Sequence, residues 1–397
     1  MPELISRLAL IALVACSAVS TDLYLSGIPG LISELGASHA DGQLTLSLFM
    51  VGFAFGQLLF GPLSDYYGRI PVVTAGLALY CIASLGCAIA PGMNLLLAAR
   101  LVQGLGAASG PVIARAIVRD RYQARDAARV MAQLAAAMAV VPLVAPVIGS
   151  WLLYWFDWRA QFVMLILFGL LTLAGVRTLA ESCPSIGQGS IALGRILAQF
   201  RHCMRSPAFI AFLLCGAASW AGSFAYISSA SFIVIELLGV APQHFGYTFM
   251  LAVTGYMGGA FLSARLVVRI GIGRTLMAGV ASNLCGAALL LVLACADTPS
   301  LAGVIGAVFC CFLGGGLCLS NGQMGAISEF PQAAGSASAV FGFLQTAMAA
   351  LAGYVVGQSY DATLMPTALA MCAAALVSLG GLVLLLLVSR HRPSTRE

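Results

Sequence analysis

The chain has 397 residues, of which 61% are hydrophobic and only 8% charged, against about 25% charged in an ordinary soluble domain. With a mean hydropathy of +1.00, that balance excludes a soluble globular enzyme. The net charge is +5, and the placement of the cations decides between a nucleic-acid partner and a membrane surface.

Runs of about 20 apolar residues predict an all-α polytopic membrane protein with twelve transmembrane helices. In chain order they fall at roughly 5–27, 43–63, 72–90, 94–117, 130–153, 160–179, 207–231, 246–268, 274–294, 300–327, 335–357 and 364–388. The start lacks the basic segment of a cleavable signal, and the apolar run from Leu8 is long enough to span. The longest connection, 180–206, divides the chain into an N-terminal bundle (1–179) and a C-terminal bundle with a short tail (207–397). Its second part, IALGRILAQFRH, has the pattern of a short basic helix lying on the inner leaflet. The stretch GPLSDYYGRIP after the second span is echoed by GAFLSARLVVRIGIGR after the eighth. That echo predicts two pseudo-symmetric six-helix halves.

All nineteen basic residues are Arg. With the amino terminus inside, seventeen of the nineteen lie on the inner side, leaving Arg159 outside and Arg100 within the bilayer. This asymmetry predicts two cytoplasmic termini and makes a nucleic-acid partner unnecessary. Trp151, Tyr154, Trp155 and Trp158 are placed where an outer aromatic belt belongs. The cysteines lie mostly singly within spans, none in a CxxC pair, and His is scarce, so no metal or cofactor is expected. No HExxH, GxSxG or phosphate-loop pattern is present, and no enzyme is expected.

Asp22 is the one carboxylate predicted inside a span. An Asp at a helix centre costs about 2.5–3.5 kcal/mol to insert, so a use for it is the default expectation. As a continuous helix, the first span would align Ala15, Ala18, Val19, Asp22 and Ser26 on one small-residue face turned into the bundle. Arg100 is the only comparably deep base. Approach and withdrawal of Arg100 would switch the affinity of Asp22 for a proton; the alternative is a static ion pair joining the first and fourth spans. Tyr24, Gln103, Trp220, Tyr226, Asn321 and Gln345 are candidates for a substrate cavity at the midplane, with interhelical packing as the alternative for each. The stretch Gly104 to Gly110 follows no strand, so it reads as tight helix packing rather than a dinucleotide loop.

The turn Gly61-Pro62-Leu63-Ser64-Asp65-Tyr66-Tyr67-Gly68-Arg69 carries a further expectation. Gly61 and Gly68 would allow close backbone approach and positive φ, and Asp65 would sit near the amino end of the third span, with Arg69 as its partner. Such a charged turn is suited to latching an inner gate.

This string resembles the signature loop of the major facilitator superfamily. LLAARLVQGLGA, with Arg100, Gln103, Gly104 and Gly106, resembles the superfamily's fourth-helix motif. TDLYLSGIP is similar to the first-helix pattern of the Bcr/CflA drug–proton antiporters, matching at Asp22, Tyr24, Leu25 and Pro29, with Ser26 in place of a proline. VVPLVAPVIGS resembles the antiporter motif through Pro142, Pro146 and Gly149, although Val141, Ala145 and Ser150 stand where glycines are usual. The resemblance implies a twelve-helix fold and a monomeric multidrug efflux antiporter of the bacterial inner membrane. It also implies proton coupling through Asp22 and Arg100, with small molecules, protons and the bilayer as partners. A proton-coupled carrier of a nucleoside, sugar or amino acid is the alternative, and a non-transporting sensor the remote one.

Overall fold

The computed structural model describes residues 2–184, 186–187, 193–296 and 299–391. Every regular element among them is helical. Eleven helical stretches among the described residues are long and apolar enough to cross a membrane. One of them, α11 in the numbering below, holds two of the expected spans. It runs through Phe245–Ala294 but is interrupted at Gly271, whose φ of 80° and ψ of 167° are not helical. The expected spans 246–268 and 274–294 are thus two spans joined at a glycine hinge.

The chain divides into two compact units. The first is Met1–Ala192 with Gly239–Met250. It contains α1 (Pro2–Asp22), α2 (Ile28–Leu35), α3 (His39–Tyr67), α4 (Arg69–Ala88), α5 (Met93–Ala107), α6 (Ser109–Arg121), α7 (Ala124–Trp155) and α8 (Trp158–Val176). Its helices touch backbone to backbone. A Cβ at Gly104 would collide with the Phe49 carbonyl, one at Gly52 with the Leu101 carbonyl, and one at Gly110 with the Leu13 carbonyl. Only glycine permits such approach, and in a bundle without a hydrophobic drive between helices it is a main source of cohesion. The Gly104 to Gly110 stretch is therefore a packing surface. Within the same unit Gly246 N donates to Ser150 Oγ (3.0 Å) and Trp151 Nε1 to Tyr247 Oη (3.0 Å).

The second unit is Leu193–Leu238 with Leu251–Glu397. It contains α9 (Leu193–Met204), α10 (Pro207–Ser231), the body of α11, α12 (Leu301–Ser328), α13 (Ala334–Gln358) and α14 (Met365–His391). A π-helical stretch, Phe232–Leu237, extends α10 beyond its expected end. The basic linker segment forms a helix from Leu193, α9, with Ile191 and Ala192 lying outside the described residues, and its Cys203, Phe200 and Met204 pack into a core with Phe209, Leu213 and Phe341. Helix α9 is thus seated on its own unit.

Two expectations about the first unit change. The first span is not one helix: α1 ends at Asp22, a 3-10 turn covers Leu25–Gly27, and α2 restarts at Ile28 with Pro29 in its first turn. Ser26 therefore leaves the face that carries Asp22. Trp151, Tyr154 and Trp155 do form an exposed aromatic cluster. Trp158, however, is buried and donates to Glu34 Oε2 at 2.7 Å, with Arg159 joining the same carboxylate at 2.5 Å.

Candidate functional site

Helix α1 continued through this stretch would set Pro29, which has no N–H, against the Leu25 carbonyl, and the chain instead turns through Leu25–Gly27 before α2 restarts. Ending there leaves backbone carbonyls without their usual intrahelical donors, and the break puts Asp22 on the last residue of α1. Asp22 is 6% exposed, and its Oδ1 accepts from Thr21 Oγ1 at 3.0 Å. No ion pair joins it to Arg100 among the described residues. The static-pair alternative is thereby set aside.

Arg100, fully buried on α5, is held by other means. Its Nη1 donates to the Ser20 carbonyl (3.2 Å) and to Gln103 Oε1 (2.5 Å), and its Nε to the Thr45 carbonyl (3.3 Å). Ser20 belongs to the last turn of α1, so the cation caps a helix carboxyl terminus, where the macrodipole is negative. The guanidinium also lies 4.2 Å from the ring centre of Tyr24 and 4.6 Å from that of Phe49. Nη2 has no hydrogen-bond partner among the described residues; the ring faces add a contact worth about 2 kcal/mol when desolvated. Around this core Tyr24 Oη meets Thr45 Oγ1 (2.9 Å), and Gln103 Nε2 donates to Ser84 Oγ (2.7 Å). Tyr24 and Gln103 are 1% and 0% exposed. They are walls of the Arg100 cluster rather than of an open cavity.

Helix α7 runs unbroken through Pro142 and Pro146. Gly149 has a sharper purpose than flexibility: a Cβ there would run into the Leu23 carbonyl at the α1 break. Gln161 of α8 completes the joint, donating from Nε2 to the Gly149 carbonyl (2.9 Å) and to Ser26 Oγ (3.0 Å). Gly149→Ala should therefore lower stability by about 1–3 kcal/mol, the cost of overpacking. Thermal unfolding in detergent measures it, and an unchanged melting temperature would refute the close approach.

The signature turn differs from its expected geometry. Asp65 lies in the last turn of α3, not at the start of α4. It pairs with Arg69 Nη1 at 2.5 Å, and Arg69 Nε reaches Asp120 Oδ2 at 2.9 Å. Asp120 was missed because α6 carries the fourth span on to Arg121, which brings an apparent loop residue onto the helix. Gly68 does require its glycine, with φ 97°. Gly61 does not: it is helical, with open space where a Cβ would stand. The amino end of α4 is served by a carboxylate from the linker, Glu181, which nothing in the local sequence announces. Gly271, with φ 80°, repeats the Gly68 geometry in the second half and gives the sequence echo a backbone counterpart.

The remaining candidates lie in the second unit. Trp220 packs edge-on against Tyr256 with ring centres 6.0 Å apart, and buried Tyr226 against Phe312 at 6.1 Å. Tyr226 Oη has no hydrogen-bond partner among the described residues. Asn321 Nδ2 donates to Ser263 Oγ at 2.6 Å, and Gln345 is half-buried on α13. A small cavity lined by Ser219, Ser223, Asn283 and Met371 adds Asn283, which donates to Ser219 Oγ at 2.6 Å and which the sequence reading passed over.

The family model described as Major Facilitator Superfamily matches residues 10–353. An uncharacterized MFS-type transporter, YdgK of Bacillus subtilis, is 30% identical over 378 residues, 94% of each chain. A bicyclomycin resistance protein homolog of Haemophilus influenzae is 28% identical over 359 residues, 90% of each chain. Among solved structures, the peptide transporter POT in complex with sulfate gives a TM-score of 0.78 at 14% identity, covering 97% of this chain and 94% of that one. At that identity the structural likeness speaks for the fold alone. Two helical units, the matched signature turn and a family model spanning most of the sequence lead to one conclusion: this chain belongs to the Major Facilitator Superfamily.

Proposed function

We propose that the protein exports drug-like small molecules in exchange for protons, by alternating access, as a monomer in a bacterial inner membrane with both termini in the cytoplasm. The carrying observation is Asp22: a carboxylate with no ion-pair partner among the described residues, at a helix break inside the membrane-spanning part of the chain. It stands in the Thr21–Pro29 string that resembles drug–proton antiporters, and one relative is named for bicyclomycin resistance.

In this reading Asp22 takes up and releases the coupling proton. Arg100 acts indirectly, by fixing the α1 end through the Ser20 carbonyl. Two six-helix halves, joined by the 180–206 linker, alternate access. Asp65 and Arg69 form the gating latch with Gly68, and the Gly149 joint transmits motion of α7 to the α1 break. Trp220 and Gln345 supply aromatic and amide contacts for substrate, whereas Tyr226 and Asn321 are as deeply buried as Tyr24 and Gln103 and hold the second unit together.

Purified protein in proteoliposomes, with an imposed pH gradient and a panel of bicyclomycin, hydrophobic cations, nucleosides, sugars and amino acids, tests the proposal. Gradient-driven movement of drug-like compounds supports it. Selective movement of nucleosides, sugars or amino acids points instead to a physiological carrier, and no movement of any compound to a sensor.

A further inference from the structure

Helix α4 starts in an unusual way. Its N-cap is Gly68, which has no side chain to offer, and no side-chain cap comes from within the turn. The third residue, Pro71, has no N–H. The amides of Arg69 and Ile70 therefore need an acceptor from elsewhere.

Glu181, 112 residues from Arg69 in sequence, supplies it. Oε1 accepts from Arg69 N at 2.9 Å, and Oε2 from Ile70 N at 3.0 Å. Oε1 also accepts from Ser182 N and Cys183 N, each at 2.9 Å. Burial pushes the Glu181 carboxyl up, but these backbone donors outweigh it and hold it below its ordinary value, so the carboxylate stays charged at neutral pH. A Cβ on Gly68 would stand 2.8 Å from Oε2, so the glycine is needed twice: for its positive φ and for room.

The fastening extends along the linker. Gly187 N donates to the Tyr66 carbonyl at 2.9 Å, the Cys183 thiol reaches the Asp65 carbonyl at 3.6 Å, and Arg121 Nη2 donates to the Ala180 carbonyl. The start of the linker thus grips the turn on both sides of Gly68. At Gly271, the equivalent position in the second half, nothing among the described residues lies within 4 Å of where a Cβ would stand.

We propose that Glu181 is a positioning residue for gating. It fixes the backbone that carries the Asp65–Arg69–Asp120 ion pairs and makes the first residues of the linker a strap on the moving turn. This inference rests on the gating role proposed above for Asp65 and Arg69.

Glu181→Gln, which keeps the length of the side chain, and Glu181→Ala test it on the full-length protein. Hydrogen–deuterium exchange should show the amides of Arg69 and Ile70 exchanging about fivefold faster, the factor expected from losing a typical N-terminal cap. Proton-driven bicyclomycin transport in proteoliposomes should lose kcat several-fold while KM holds. Unchanged exchange removes the strap. Faster exchange with unchanged kcat, or a change confined to KM, reduces Glu181 to structure and overturns the positioning role. Wild-type protein that moves no bicyclomycin would count against the transport reading for that compound; the exchange measurement still decides whether the strap exists.

Discussion

Asp22→Asn should abolish uphill, proton-driven transport while the protein still inserts and folds. Asn matches Asp in size and still accepts a hydrogen bond from Thr21 through its amide oxygen, so the α1 break should survive. It cannot take up and release a proton near neutral pH. With no ion pair to lose, the substitution removes titration and little else, which makes it a clean test. Downhill exchange of substrate should persist, because movement without coupling needs no proton at this position. The measurement is counterflow beside gradient-driven uptake in the same vesicles. Full gradient-driven accumulation by the Asn variant would end the coupling role of Asp22.

Arg100→Ala is expected to have the largest structural effect. It leaves the Ser20 carbonyl and Gln103 Oε1 without the Arg100 donor, removes a second donor from the Thr45 carbonyl, and opens a cavity between Tyr24 and Phe49. Each buried acceptor left unsatisfied costs about 1–3 kcal/mol, and the cavity adds to that loss. A fall in melting temperature and in yield should therefore come before any change in pH profile. Arg100→Lys should recover only part of the loss, since a point charge cannot reproduce a planar fork that bonds in three directions while lying on two rings. An Arg100→Ala protein of normal stability, with a shifted pH optimum instead, would return Arg100 to direct partnership with Asp22.

The depth of Asp22 and of Arg100 was legible in the sequence, because hydropathy reports depth well. Their relation was not. Span prediction treats a hydrophobic run as one helix, and the first run breaks between Asp22 and Ile28, just ahead of Pro29. That proline was a readable signal, but the surrounding apolar residues outweighed it. Once α1 ends at Asp22, Arg100 finds a helix terminus rather than a carboxylate as its partner. Gly149 was legible as a motif position, whereas the Leu23 carbonyl it accommodates depends on that same break. Glu181 and Asp120 illustrate a different limit. Each acts on Arg69 or its amide from a distant part of the chain, and no local periodicity encodes which carboxylate will arrive. The eighth and ninth spans were separable by length, although their junction is a single glycine inside a helix of 50 residues.

The caged guanidinium has an electrical consequence. Arginine stays charged across the physiological pH range, and the Arg100 cation is locked to backbone carbonyls and ring faces rather than cancelled by a carboxylate. If Asp22 is the proton carrier, the two residues together sum to zero when it is ionised and to one positive charge when it is protonated. A transmembrane voltage then acts on the proton-loaded form and leaves the empty form almost untouched. At about 2.3 kcal/mol per charge per 100 mV, a negative interior would pull the loaded form inward and add to the chemical drive of the proton. Voltage and pH would cease to be interchangeable driving forces: voltage would speed only the half of the cycle in which Asp22 carries its proton.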